Sequence, residues 1–184
     1  VNGTSIFAST ISGGAWSSSD PAIATINPTT GLVTGLAAGN AIITYTVTGT
    51  GGCANATATQ TVTVTAAPTA GTLSGNQGIC VNGTSTFAST ISGGAWSSSD
   101  PAIATVNANT GLVTGLTAGT ATITYTVTGT GGCSNATATR TVTVTAAPTA
   151  GTLSGTQGIC VNGTSIFAST ISGGAWSSSD PAIA

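Results

Sequence analysis

Four cysteines, three aspartates and one arginine are the whole reactive inventory of this 184-residue chain, which has no His, Lys, Glu or Met. Asp20, Asp100 and Asp180 each close the same Ser-Ser-Ser-Asp-Pro segment, and Arg140 is the single cation. A catalyst needs groups that move protons or stabilise developing charge. A lone carboxylate per segment offers neither an acid–base pair nor a base for the many hydroxyls, so no enzyme chemistry is expected. Asp before Pro in a turn is read instead as a cap for backbone amides. Calcium sites gather several carboxylates or carbonyls, so no metal site is expected, and nothing suggests a cofactor. One arginine cannot neutralise a phosphate backbone, which removes nucleic acid as a partner. Without Lys, no Lys–Asn or Lys–Asp isopeptide bond can form.

The cysteines carry more information. Cys53, Cys80, Cys133 and Cys160 alternate at spacings of 27 and 53 residues. With neither a CxxC pair nor a His, zinc and redox readings have little support. Disulfides formed in an oxidising compartment are the better account. The pairing expected is Cys80 with Cys133, leaving Cys53 and Cys160 to find partners outside this stretch. Closing a loop of that length would stabilise by about 4 kcal/mol in the chain-entropy picture.

These residues recur because the chain itself recurs. Val1-Asn2-Gly3-Thr4-Ser5 returns at Val81 and again at Val161, a period of 80 residues. Residues 1–80 and 81–160 differ at ten positions without a gap, among them Ile6/Thr86, Ala54/Ser134, Gln60/Arg140 and Asn76/Thr156. Residues 161–184 repeat 1–24 unchanged. Val1 stands where the later copies have just passed a Cys, and Ala184 falls inside a strand-like stretch, so the sequence is expected to be a window on a longer polypeptide. It holds no initiator Met, signal peptide or apolar span of about 18 residues, so no membrane span is expected in this segment.

Only 2% of residues are charged, yet 40% are hydrophobic. Disorder goes with low hydrophobicity and high net charge, so an ordered β protein with a hydroxyl-rich surface is expected. Thr120–Thr128 alternates strictly, with Ile123, Tyr125 and Val127 on one face. Ala138–Thr145 does the same, with Val142 and Val144 facing in. Gly129–Asn135 reads as the hairpin loop between them. Shorter strands are expected at Thr72–Cys80, Thr84–Ser89 around Phe87, Ala95–Ser98 around Trp96, Ala102–Val106 and Gly111–Leu116. Asp100-Pro101 and Asn107–Gly111 supply turns. Some seven strands in one 80-residue period read as a sandwich. Its expected core is Phe87, Trp96, Ile103, Val106, Leu112, Leu116, Ile123, Tyr125, Val127, Val142 and Val144. The segments at Ala66–Thr69 and Ala146–Thr149 each carry a stiffening Pro and read as joints. Three domains are therefore expected: 1–66 without its first strand, 67–146 complete, and 147–184 the start of another.

Trp96–Val106, Thr110–Leu116 and Ala118–Ile123, in that order, resemble the bacterial Ig-like group 2 domain, and the same pattern stands at Trp16–Ile43. That resemblance implies tandem Ig-like sandwiches of about 80 residues, of the kind strung together as stalks of surface adhesins. The two cysteines per repeat resemble repeats in giant surface proteins of gliding and related bacteria. In an Ig-like sandwich, Cys80 would end the first strand at one pole while the hairpin of Cys133 lies near the other. That makes a link across the joint between domains a competing pairing.

Three functions follow as expectations. The first is an extracellular stalk holding an adhesive region away from a bacterial surface, with neighbouring repeats as its partners. The second is a homopolymeric filament, since near-zero charge and unpaired edge strands favour lateral self-association. The third is a glycan-binding repeat, with Trp96 and Tyr125 as a stacking platform; it requires an exposed indole. Asn82-Gly83-Thr84 and Asn135-Ala136-Thr137 match the N-glycosylation pattern, as chance allows in a chain so rich in Asn and Thr.

Overall fold

The computed structural model describes residues 3–183, and every regular element in it is a strand. Val1, Asn2 and Ala184, at the outer bounds of the first and third expected domains, lie outside the described residues. The first repeat forms β1 (Thr4–Ile6), β2 (Ala15–Ser18), β3 (Ala24–Ile26), β4 (Leu32–Gly35), β5 (Gly39–Val47) and β6 (Ala56–Val64). The central stretch forms β7 (Leu73–Ser74), β8 (Gly78–Cys80), β9 (Thr84–Thr86), β10 (Ala88–Ser89) and β11 (Ala95–Ser98). It continues with β12 (Ala104–Val106), β13 (Leu112–Gly115), β14 (Gly119–Val127) and β15 (Ala136–Thr145). Beyond it lie β16 (Leu153–Ser154) and β17 (Ala168–Ser169).

The central strands make an Ig-like sandwich. One sheet runs β11-β14-β15-β8, the other β12-β13-β9, with β10-β7 as a short pair beside them. Alternating Thr and apolar residues make β14 and β15 long, because each presents one face to the core and one to water. Their nine-pair antiparallel register, from Gly119↔Val144 to Val127↔Ala136, is the spine of the sandwich. The expected leading strand, Thr72–Cys80, is two strands. β7 pairs antiparallel with β10, whereas β8 crosses to the other sheet and pairs parallel with β15. The switch is made at Gly75, whose φ of 122° and closeness to Phe87 leave no room for a side chain. Phe87 interrupts the expected Thr84–Ser89 strand in the same way, falling between β9 and β10.

The core holds Phe87, Trp96, Ile123, Tyr125, Val142 and Val144, all buried, together with Ala70, Ile79, Ala104, Val113 and Ala121. Ile103, Val106 and Val127 are half-buried against it. Leu112 and Leu116 correct the sequence reading: both are exposed, at 43% and 41%. The segment Leu-Val-Thr-Gly-Leu is apolar on both faces, and the phase that faces inward is Val113 and Gly115. A Cβ on Gly115 would come within 2.8 Å of Val144 Cγ1 and 3.0 Å of the Cys80 carbonyl oxygen. Only a residue without a side chain lets β13 approach β8 and β15 so closely, and the bulkier leucines are left facing out.

The first and third repeats serve as internal controls. Val62 and Val64, counterparts of Val142 and Val144, are only half-buried, because residues 67–80 cover the equivalent face in the central sandwich alone. Trp176, whose counterparts of β14 and β15 are not in the sequence, is 59% exposed, against 7% for Trp96.

Candidate functional site

Trp96 stands opposite Tyr125 across the β11–β14 ladder, with ring centroids 4.7 Å apart, and Phe87 meets the indole edge-on at 6.3 Å. The Tyr125 hydroxyl donates to the Ile91 carbonyl at 2.9 Å and accepts from the Gly94 amide at 2.7 Å, so it ties down the 91–94 loop. Gly94 must be glycine, since a Cβ would meet the Tyr125 ring and the Thr126 carbonyl at 2.6 Å. Trp16, Tyr45 and Gly14 repeat this arrangement. The indole of Trp96 therefore belongs to the core, and the sugar-stacking platform that required it exposed is removed.

The remaining polar candidates are occupied with backbone. Asp100 Oδ1 accepts from the Ala102 amide at 3.0 Å, and the Asp100 carbonyl accepts from Ile103 and Ala104 at 3.2 and 3.0 Å. This is the amide-capping turn expected of Asp-Pro. Asn135 Oδ1 closes the hairpin loop by accepting from the Gly129 amide at 3.0 Å, and Asn82 occupies a positive φ of 64°. Arg140 donates to the Leu73 carbonyl at 3.0 Å and lies 5.9 Å from the Phe87 ring centroid, so it staples β7 to β15. Among the described residues no three His, Cys, Asp or Glu side chains gather, and no helix is long and apolar enough to cross a membrane.

The most constructed feature is the joint between the first and central repeats. There the β14–β15 hairpin of the central sandwich rests on the end of the first. Cys133 Sγ donates to the Thr65 carbonyl at 3.5 Å, and Gly131 lies against the Thr65 side chain, which a Cβ would meet at 2.3 Å. Cys133, Gly131 and Gly132 share one cavity of about 620 Å³ with Gly35, Val62 and Val64 of the first sandwich and with Pro68 of the linker.

No two of the four cysteines are bonded to one another, and the geometry corrects the pairing of Cys80 with Cys133. Cys80 is in register with Thr145 at one end of β15, and Cys133 precedes Ala136 at the other end. That strand of ten residues spans about 33 Å at ~3.3 Å per residue, whereas a disulfide needs Cα atoms within about 7 Å. Sequence reading did not single out Thr65 and Thr145, because Thr145 matters through parallel pairing with Cys80 and Thr65 through its contact with Cys133, partners more than 60 residues away that leave no local signal.

The family profile for the bacterial Ig-like domain (group 2) matches residues 4–58 and 58–137. Among curated proteins, none matches the chain. Solved structures similar to it include domains 1–6 of the surface layer protein SbsC, at 22% identity and a TM-score of 0.30 over 83% of this chain and 24% of that one. A C-terminal fragment of intimin, solved with the intimin-binding domain of its translocated receptor, matches at 18% identity and TM-score 0.40 over 71% of this chain and 51% of that one. A SusE-like surface-located polysaccharide-binding protein of Bacteroides thetaiotaomicron matches at 16% identity and TM-score 0.30, over 73% and 29%. The chain thus spans about half or less of the length of each of these structures.

Proposed function

Because the chain belongs to the bacterial Ig-like domain (group 2) family, we propose that it is a stalk segment of a secreted bacterial surface adhesin, a semi-rigid extracellular rod without catalytic activity. The observation that carries this reading is the joint. A linker of two alanines and Pro68 brings the hairpin of one sandwich onto the last strand of the one before, with Cys133 and Gly131 seated on Thr65. Short, proline-stiffened and in contact, such a joint limits bending, as a loose Gly/Ser linker would not. In this reading residues 67–146 are the repeating domain. The ten residues of β15, about 33 Å at ~3.3 Å each, set the order of the rise per repeat.

Small-angle scattering on arrays of increasing repeat number tests the rod. A rod gives an end-to-end dimension that grows in proportion to repeat number, whereas freely hinged beads follow roughly its square root; square-root growth would remove the stalk. Labelling of intact producing cells with an antibody against the repeat tests the surface location.

One observation favours a second reading, a subunit of a homopolymeric filament. Ile6, Leu32, Leu36, Ile42, Leu112 and Leu116 are exposed at 40% or more, on a surface with four charged side chains in all. Such a surface has little charge to keep copies apart. Sedimentation at rising concentration separates the two: a stalk stays monomeric and a filament subunit grows.

A further inference from the structure

The geometry points to a disulfide ladder that runs across the joints, joining the first-strand cysteine of each repeat to the hairpin cysteine of the repeat that follows. Two environments, one period apart, carry it. Cys133, on the central hairpin, is seated on Thr65 at 3.5 Å. Thr145 is the counterpart of Thr65 one period later, and it is the register partner of Cys80, with its Oγ1 4.0 Å from Cys80 Sγ. The same threonine of each repeat therefore has the repeat's own first-strand cysteine beside it and the next repeat's hairpin cysteine upon it.

The cavity at the joint gives independent support. In the central sandwich Cys80 lies against Gly83 and Gly115, where a Cβ would come 2.9 and 3.0 Å from its carbonyl oxygen. The counterparts of those glycines, Gly3 and Gly35, line the cavity that Cys133 also lines. The seat of a first-strand cysteine and the hairpin cysteine of the following repeat thus open onto one space. Within a repeat the two cysteines are held at opposite ends of β15. By this rule the partner of each of the four cysteines lies outside residues 1–184: Cys80 and Cys160 pair with hairpin cysteines downstream, Cys53 and Cys133 with first-strand cysteines upstream.

Forming each bond takes two electrons and two protons from the thiols. A small-molecule disulfide or a disulfide-bearing oxidoreductase accepts them. One cysteine thiolate attacks its S–S bond and expels one thiolate, and the second cysteine thiolate then displaces the other from the mixed disulfide. The ladder requires only an oxidant and stands independently of whether the array serves as a stalk or a filament.

The test adds a copy of residues 67–80 ahead of Val1, so that a first-strand cysteine precedes the first repeat, and oxidises the monomer in glutathione disulfide. Non-reducing proteolysis and mass spectrometry are expected to find the added cysteine bonded to Cys133, to lose that link in Cys133→Ser, and to keep it in Cys53→Ser. A bond from the added cysteine to Cys53, or no intrachain bond at all, overturns the ladder. The unextended chain gives a second measurement that does not depend on the extension folding. Its oxidised monomer is expected to hold no intrachain disulfide, each cysteine being either a free thiol or capped by one glutathione, and a Cys80–Cys133 bond there overturns the proposal as well.

Discussion

Replacing Ile79 by Ala measures how much of the central sandwich depends on a strand three residues long. Ile79 is 7% exposed and is the register partner of Val144, with its Cδ1 3.1 Å from where a Cβ on Gly115 would stand. The substitution removes three buried carbons, worth about 2.4 kcal/mol at ~0.8 kcal/mol each. The wall around them, β13 and β15, is held by ladders on both sides and collapses little, so the cavity brings the loss to about 3 kcal/mol. For a domain of this size that lowers Tm by about 12 °C or more. In a Trp16→Phe, Trp176→Phe background, Trp96 alone reports on the central sandwich, and its thermal unfolding is followed by fluorescence. A fall in Tm of less than about 4 °C, equivalent to under 1 kcal/mol, would refute the reasoning. It would mean that β8 lies on the sandwich without contributing to its core.

Other perturbations separate the remaining devices. Tyr125→Phe strands the Gly94 amide and the Ile91 carbonyl together, so it should cost about 2 kcal/mol, read as a lower Tm in the same background. Gly111→Ala and Gly132→Ala share a positive φ, 70° and 81°, but a Cβ at Gly111 would meet the Phe87 carbonyl at 2.2 Å while Gly132 faces open space. Denaturant melts should show about 1 kcal/mol lost at Gly132 and clearly more at Gly111; equal losses would contradict the packing described. With four charged side chains in the whole chain, sodium chloride should move Tm by no more than about 2 °C, since there is little charge for it to screen.

Much of this architecture could be read from residues whose neighbours are close in sequence or fixed by alternation. The period, the long β14–β15 hairpin, the Asp100 turn and the burial of Trp96 and Tyr125 all belong to that kind. Leu112 and Leu116 were not legible, because a segment apolar on both faces has no phase of its own. What chooses it is the closeness of Val144 and Cys80 to Gly115, a property of the opposite sheet. The split of Thr72–Cys80 into β7 and β8 is similar, since an apolar run does not say which sheet each half will join. The cysteines were harder still. Their spacing is compatible with a bond inside the domain or across the joint, and only the length of β15 between Cys80 and Cys133 decides against the first.

The parallel pairing of β8 with β15 has a mechanical consequence. The chain enters the sandwich through β7 and β8 and leaves it through the end of β15, so a pull on a row of repeats draws these two strands past one another. Their bonds, including Val81 N–H to the Thr145 carbonyl at 2.9 Å and Thr143 N–H to the Gln77 carbonyl at 2.7 Å, lie across the line of tension. They must yield together instead of one after another, as they would if a hairpin were peeled from its open end. In a row of repeats under tension, the small strand that carries Ile79 would thus be the latch of each repeat, with a resistance set by shear.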